Sequence, residues 1–277
     1  MVVPSRIRAL IVPAVCAVFA LLVAVAPAAA QGALVGQSWV PEDLKPLMQK
    51  PFGVSFLSLN VGETLDVNNL SLVMGGQVVP PGAVSLQSVT HITHIAGVTA
   101  DVWLLPFVNV HGMVGHLWGS ANDINPTVMP GLLPPGVTIP PTQEFSGTSY
   151  GGGVTFAIGY KRIFATYDIT YMSSKVDLLD DNADALVQGI RGGVKLGSGK
   201  YRSTLYVGAL HEDIRSTLTG TGLIPGLNPV FSLDVTPESP WNMLVGANIE
   251  LTPRFVITAE GGFGNRMQFV IAPGVRF

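Results

Sequence analysis

Cysteine is almost missing from this sequence. Of 277 residues only Cys16 is a cysteine, and it sits in an N-terminal stretch that reads as removable. The remaining chain can therefore form no disulfide, thiolate metal site or cysteine nucleophile. Charge is scarce as well. Asp, Glu, Lys and Arg make up 12% of the residues and hydrophobic residues 48%, where a soluble domain carries roughly 25% charged residues. That balance argues against an ordinary solvated globule and points to a membrane or secreted protein. No basic run or aromatic–basic stripe is present, which excludes a nucleic-acid surface. After residue 30 there is also no run of roughly 18 apolar residues, so no transmembrane helix is expected there.

What is present begins with an export signal. Arg6 and Arg8 form a basic start, and ALIVPAVCAVFALLVAVA follows as an apolar core. APAAAQG then supplies small residues, with Ala28 and Ala30 at the A-x-A positions of a cleavage site. A signal peptide over residues 1–30 is expected, cut after Ala30. An uncleaved anchor is the competing reading, which Pro13 and the Ala-rich exit disfavour. Removing the signal takes two basic residues and no acidic one, leaving 13 basic against 18 acidic residues, a formal −5. Residues 31–51 read as a periplasmic lead, in which Pro41 opens a helix of one or two turns ending near Lys50.

Beyond it the apolar residues recur at period two, in segments of roughly ten, the length a strand needs to cross a bilayer. In PWNMLVGANIELTPRFVITAEGGFG, Trp241, Met243, Val245, Ala247, Ile249 and Leu251 share one face. Asn242, Leu244, Gly246, Asn248 and Glu250 share the other. After a turn at Thr252-Pro253, Phe255, Ile257, Ala259 and Phe263 resume the apolar face, opposite Arg254, Thr258 and Glu260. Similar hairpins turn at Pro106, at Lys161-Arg162 and at Gly197–Lys200. With 32 Gly and 21 Pro marking turns, the expected fold is all-β, an antiparallel transmembrane β-barrel over residues 52–277. Ten strands are expected, at 52–61, 88–104, 107–118, 149–160, 162–172, 185–197, 201–212, 241–251, 254–263 and 267–277. Twelve is the alternative, reached if residues 61–79 hold a further hairpin. Short turns alternate with long connections over about 62–86, 119–147, 173–184 and 213–239, the asymmetry of periplasmic turns and extracellular loops.

The chain resembles bacterial outer-membrane β-barrel proteins. LPFVNVHGMVGHLWG and RIFATYDITYM are similar to segments of uncharacterised small barrels of proteobacteria. The resemblance rests also on the export signal, the alternating strands, Tyr and Trp near strand ends, and the terminal aromatic of MQFVIAPGVRF. It implies the outer membrane of a Gram-negative bacterium, contact with outer-membrane lipid and lipopolysaccharide, and recognition of Phe277 by the barrel-assembly machinery. Phe277 is then the C-terminal assembly signal. The last strand is expected to pair with the first, leaving no free edge.

Parity places Asp101, Asp168, Arg191, Lys195, Arg202, Glu250, Arg254, Glu260 and Arg276 in the lumen. Acids and bases on neighbouring strands suit an ion-pair network that fills a narrow barrel. A polar track for a solute is the other reading. INPTVMPGLLPPGVTIPPTQ (124–143) and TGLIPGLNPVFSLDVTPESP (221–240) are Pro-rich and apolar for surface loops. They fit a lid over the mouth, lipopolysaccharide acyl chains, a protein partner or a hydrophobic solute, and equally loops merely stiffened by Pro. No cofactor or metal is expected. His91 and His94 have opposite parity, and only His91 and His111 share the inner face. LHEDIRS sets His211 and Asp213 near the rim, a minimal general-base arrangement, but no G-x-S-x-G context accompanies it. The expected role is passage or binding of a small solute, with a hydrophobic one suggested by the loops, and no catalysis. A structural or adhesin-type barrel acting through its loops is the alternative, and a rim hydrolase using His211 comes third.

Overall fold

The computed structural model describes residues 50–74, 76–132, 139–197, 203–214, 216–221 and 230–277. The expected signal peptide, the lead up to residue 49, and Arg202 lie outside the described residues. The strands are β1 (Phe52–Met74), β2 (Gln77–Val78), β3 (Val84–Ser85), β4 (Ser88–Leu105), β5 (Val108–Asn122), β6 (Thr127–Val128), β7 (Gln143–Tyr160) and β8 (Ile163–Val176). They continue with β9 (Ala183–Leu196), β10 (Ser203–Ile214), β11 (Ser216–Thr221), β12 (Val230–Pro237), β13 (Trp241–Glu250), β14 (Phe255–Gly264) and β15 (Arg266–Arg276).

Ten of them form a closed ring, β1-β4-β5-β7-β8-β9-β10-β13-β14-β15 and back to β1, with every neighbour antiparallel. On the periplasmic side successive strands are joined by short connections and pair as hairpins. At Lys161-Arg162 the turn has two residues, and Lys161 takes φ 53°, the left-handed conformation whose twist matches that of the flanking strands. The ring closes where Gly53–Glu63 of β1 meets Arg266–Arg276 of β15. Phe52 N donates to Phe277 O (3.2 Å) and Phe277 N to Phe52 O (3.0 Å). No edge is left along the spanning part, which is the arrangement a backbone needs in lipid.

The twelve-strand alternative falls, and with it the expected loop at 62–74. Those residues continue β1, which is 23 residues long, twice what a crossing requires. Above Glu63 the strand leaves β15 and pairs with β12 from Leu65 to Val73, and β12 pairs with β11. Leu179, in the β8–β9 connection, bridges Gly220 of β11. An upper tier thus continues the wall beyond the shorter β13–β15 side. The register shifts between Val67 and Asn69, and one extra residue exchanges the two faces of a strand. Below the shift Val61, Glu63 and Leu65 point inward; above it Leu70 and Leu72 do. That exchange is why plain alternation fails across VGETLDVNNLSLVM. The tier has a core of its own, Leu72, Val84 and Phe231, against which Leu70, Val79, Val128, Leu132, Leu179 and Leu233 pack.

Polar side chains tie the tier together at its surface. Asn69 Nδ2 donates to Asp234 Oδ2 (2.9 Å) and Thr217 Oγ1 to Asp234 Oδ1 (2.7 Å). These bonds hold the Asp234 carboxyl below the usual carboxylate range. A depressed folded pKa contributes stability that is present above the unfolded value, about 3.9, and is lost as pH falls through the folded value. Amide exchange in β11 and β12, corrected for intrinsic rates, is therefore expected to be protected at about pH 5 and faster at about pH 3. Asp234→Asn should reduce the difference, and equal protection at both pH values would refute the bonding.

Candidate functional site

A cavity of about 840 Å³ occupies the lumen and the space under the upper tier. Its extracellular half is walled by Leu59, Val61, Leu65, Leu70, Leu72, Ile95, Leu117, Phe145, Val187, Leu210, Phe231 and Leu233. Ile124, Pro126 and Ile139 from the Pro-rich segment after β5 also line it. Within this apolar wall stand Asp184 and one charged cluster. Arg266 Nη1 pairs with Glu63 Oε2 (3.8 Å) and with Glu212, while His91 Nε2 lies 3.8 Å from Glu63 Oε1.

Deeper, the lining turns polar, in three groups. In the middle, Arg191 Nε and Nη2 donate to Glu260 Oε2 (2.8 Å) and Oε1 (3.3 Å). Beside this pair the Tyr206 ring covers Gly246, where an added Cβ would lie 2.4 Å from the nearest ring atom. Glycine is required there because an aromatic takes the space a side chain would fill. On the adjoining strands, Thr155 Oγ1 and Thr170 Oγ1 donate to Asp168 (2.9 and 3.0 Å), two residues along β8 from Thr166, which pairs with Arg191. Thr170 has spent its proton, so His111 Nε2, 3.0 Å from Thr170 Oγ1, is the donor in that contact. At the periplasmic end Arg276 donates from Nη1 and Nη2 to Asp101 (3.2 and 2.7 Å), and Asn109 Nδ2 donates to the same carboxylate (2.8 Å).

The outer face is the inverse of the inner. Val98, Val114, Phe156, Ile158, Val207, Met243 and Phe269 all point outward and are exposed. Aromatics rim this belt. Trp118 stacks with His94 (5.7 Å) and His116 (5.8 Å) towards the extracellular side, and Trp241 meets His211 edge-on at 4.8 Å. Phe107 and Tyr160 are exposed at the periplasmic turns, and Phe277 stacks on Phe52 at 6.2 Å. From Val108 to Trp118 the strand covers about 34 Å, or about 25 Å of height at the usual tilt. A closed ring with an apolar belt of that height and its charges inside is solvated by lipid. This is an outer-membrane β-barrel.

No family model matches the chain, and no curated protein does. Among solved structures it is similar to the transport unit of the autotransporter AIDA-I from Escherichia coli, at 11% identity and TM-score 0.41, covering 87% of this chain and 94% of that one. It is also similar to the outer membrane protein OprG from Pseudomonas aeruginosa, at 12% identity and TM-score 0.39, covering 83% and 98%. A third is the COG4313 outer membrane channel from Pseudomonas putida F1, at 10% identity and TM-score 0.35, covering 86% and 99%. At these scores the likeness carries no argument about function.

Of the residues expected inside the barrel, Asp101, Asp168, Arg191, Glu260 and Arg276 line the cavity. Lys195 and Arg254 do not; they stand exposed at the periplasmic rim, where the strands end and parity no longer assigns a side. Glu250 ends β13 at that rim. Glu63, Glu212 and Arg266, buried together, are the residues that parity missed. Glu63 falls in the expected loop at 62–86 and Arg266 between the expected strands 254–263 and 267–277, although each keeps its strand's inward spacing, two residues from Val61 and from Gln268. His91 and His111 share the inner face but do not meet: His91 sits opposite Ala121 and His111 opposite Asp101. Among the described residues no group of three His, Cys, Asp or Glu side chains could hold a metal ion. His211 is on the outer face against Trp241, and its buried Nδ1 has no hydrogen-bond partner. Among the described residues no carboxylate reaches this Nδ1.

Proposed function

We propose that the barrel takes small hydrophobic solutes from the extracellular side into its lumen, for binding or passage, without catalysis. The observation that carries this reading is the apolar wall of the cavity's extracellular half, formed jointly by the barrel and the upper tier. A water-filled pore would gain nothing from leucines turned inward, whereas an apolar chamber with few polar groups is the usual form of a binding site for an apolar ligand. The Pro-rich segments support the same reading, because Ile124, Pro126 and Ile139 turn into the mouth rather than away from it. A loop-borne adhesin would be expected to present them outward. The ion-pair groups below would act as a polar floor that slows escape and braces the barrel. Phe277 fits an assembly signal, on the lipid side of the last strand, and lipopolysaccharide would surround the upper belt.

The test is a titration of the purified barrel in detergent micelles with the apolar fluorophore N-phenyl-1-naphthylamine. Saturable binding above that of empty micelles, competed by toluene, is the expected result. A linear signal indistinguishable from empty micelles would sink the proposal.

A further inference from the structure

We propose that the cavity selects by charge, favouring an apolar solute that bears a protonated amine over a carboxylate of the same size. The inference deepens the solute reading and rests on it. Six carboxylates and three guanidinium groups line the cavity. Each guanidinium is already committed: Arg191 to Glu260, Arg276 to Asp101, and Arg266 to Glu63 and Glu212 together. None is left to receive an incoming carboxylate. A formal excess of three negative charges remains on the lining.

Asp168 is where that excess is most available to a ligand. Among the described residues the one basic side chain within 4 Å of it is His111, at 3.8 Å, and the nearby Arg191 guanidinium, which also acts on it, has its hydrogen bonds directed to Glu260. Its hydrogen bonds come from two threonine hydroxyls, which are neutral. It stands below the apolar chamber, so a solute with its apolar body among the leucines can direct a polar head down to it.

The approach is biased the same way. Around the mouth the described residues carry nine further carboxylates, among them Asp66, Asp177, Asp180, Asp181 and Glu238, against Lys175. The periplasmic turns carry the opposite sign, with Lys161, Arg162, Lys195 and Arg254. A cleft lined by one sign of charge, with low-dielectric walls, concentrates counter-ions at its entrance and within it. An anionic head would have to shed its water beside like charges and, among the described residues of the lining, would find each guanidinium already paired.

Hexylamine, hexanol and hexanoate share an apolar body and differ in head-group charge. Their affinities for the purified full-length barrel in micelles would be compared by isothermal titration calorimetry near pH 7.5, with empty micelles as the blank. Hexylamine is expected to bind roughly tenfold tighter than hexanoate, with hexanol between them. The ratio should narrow when salt is raised to about 0.5 M and when Asp168→Asn removes the available carboxylate. Hexanoate binding as tightly as hexylamine, or a ratio unmoved by both salt and Asp168→Asn, would overturn the charge selectivity while hexanol binding kept the solute reading standing. Failure of all three, hexanol included, would overturn both.

Discussion

Arg266→Ala is expected to cost the barrel about 3–5 kcal/mol of stability, the range for breaking a buried ion pair from one side. The side chains of Arg266, Glu63 and Glu212 retain only 8%, 6% and 13% of their accessible surface. They sit in a wall made mostly of leucine, valine, isoleucine and phenylalanine. Removing the one guanidinium leaves two carboxylates facing each other with His91 as the remaining nearby base. Their side chains also tie β10 to β1 and β15 at the level where β1 leaves β15, so the loss should loosen the barrel at its upper seam. The measurement is the urea midpoint of folding into lipid vesicles, followed by tryptophan fluorescence and by the faster migration of the unboiled band on SDS gels. Adding Glu63→Gln and Glu212→Gln to Arg266→Ala should recover most of the loss, because the unpaired charges are then gone. A loss below about 1 kcal/mol, the size seen for exposed pairs, would show that water reaches the group freely.

Leu59→Asn is expected to weaken binding of the apolar fluorophore about tenfold, or ~1.4 kcal/mol, as a leucine contact with the solute is exchanged for a hydrated amide. Leu59 lines the cavity and pairs across β4 with Ile95, which is buried. It is itself half-buried, so the change removes apolar contact from the chamber while leaving the ladder intact. Val207→Ala makes a comparison on the opposite face. Val207 is 66% exposed on the lipid side, and its truncation should leave the fluorophore's affinity unchanged. Equal loss from both substitutions, or from neither, would mean that the fluorophore reports on the belt and micelle instead of the lumen.

Much of the architecture could be read before any coordinates. Period-two alternation in WNMLVGANIE and RFVITAEGG told the outer face from the inner, because a lipid-facing residue must be apolar and the next one along has its side chain on the other side of the sheet. Ten strands and the pairing of the last with the first followed from the same pattern and from short turns. The reading failed where the pattern was broken by one residue. At the register shift between Val67 and Asn69 the inward parity passes from odd to even numbers, so a continuous strand looked like a loop.

The candidate site was less legible. That Asp168 and Glu260 point inward follows from local parity alone. That Arg191 reaches Glu260 across 69 residues of chain, or Arg276 reaches Asp101 across 175, depends on strand order, tilt and stagger around the ring, none of which alternation encodes. The apolar chamber has the same origin. Leu59, Leu117, Leu210 and Phe231 belong to separate strands and become one surface only when the barrel closes and the upper tier folds over it. The sequence alone determined which side of each strand meets lipid, since that is decided by each residue's own transfer free energy. Only the tertiary structure decided which inward residues meet one another, and therefore where the lumen is charged and where it is greasy, because contact across a closed barrel is set by its geometry rather than by neighbours along the chain.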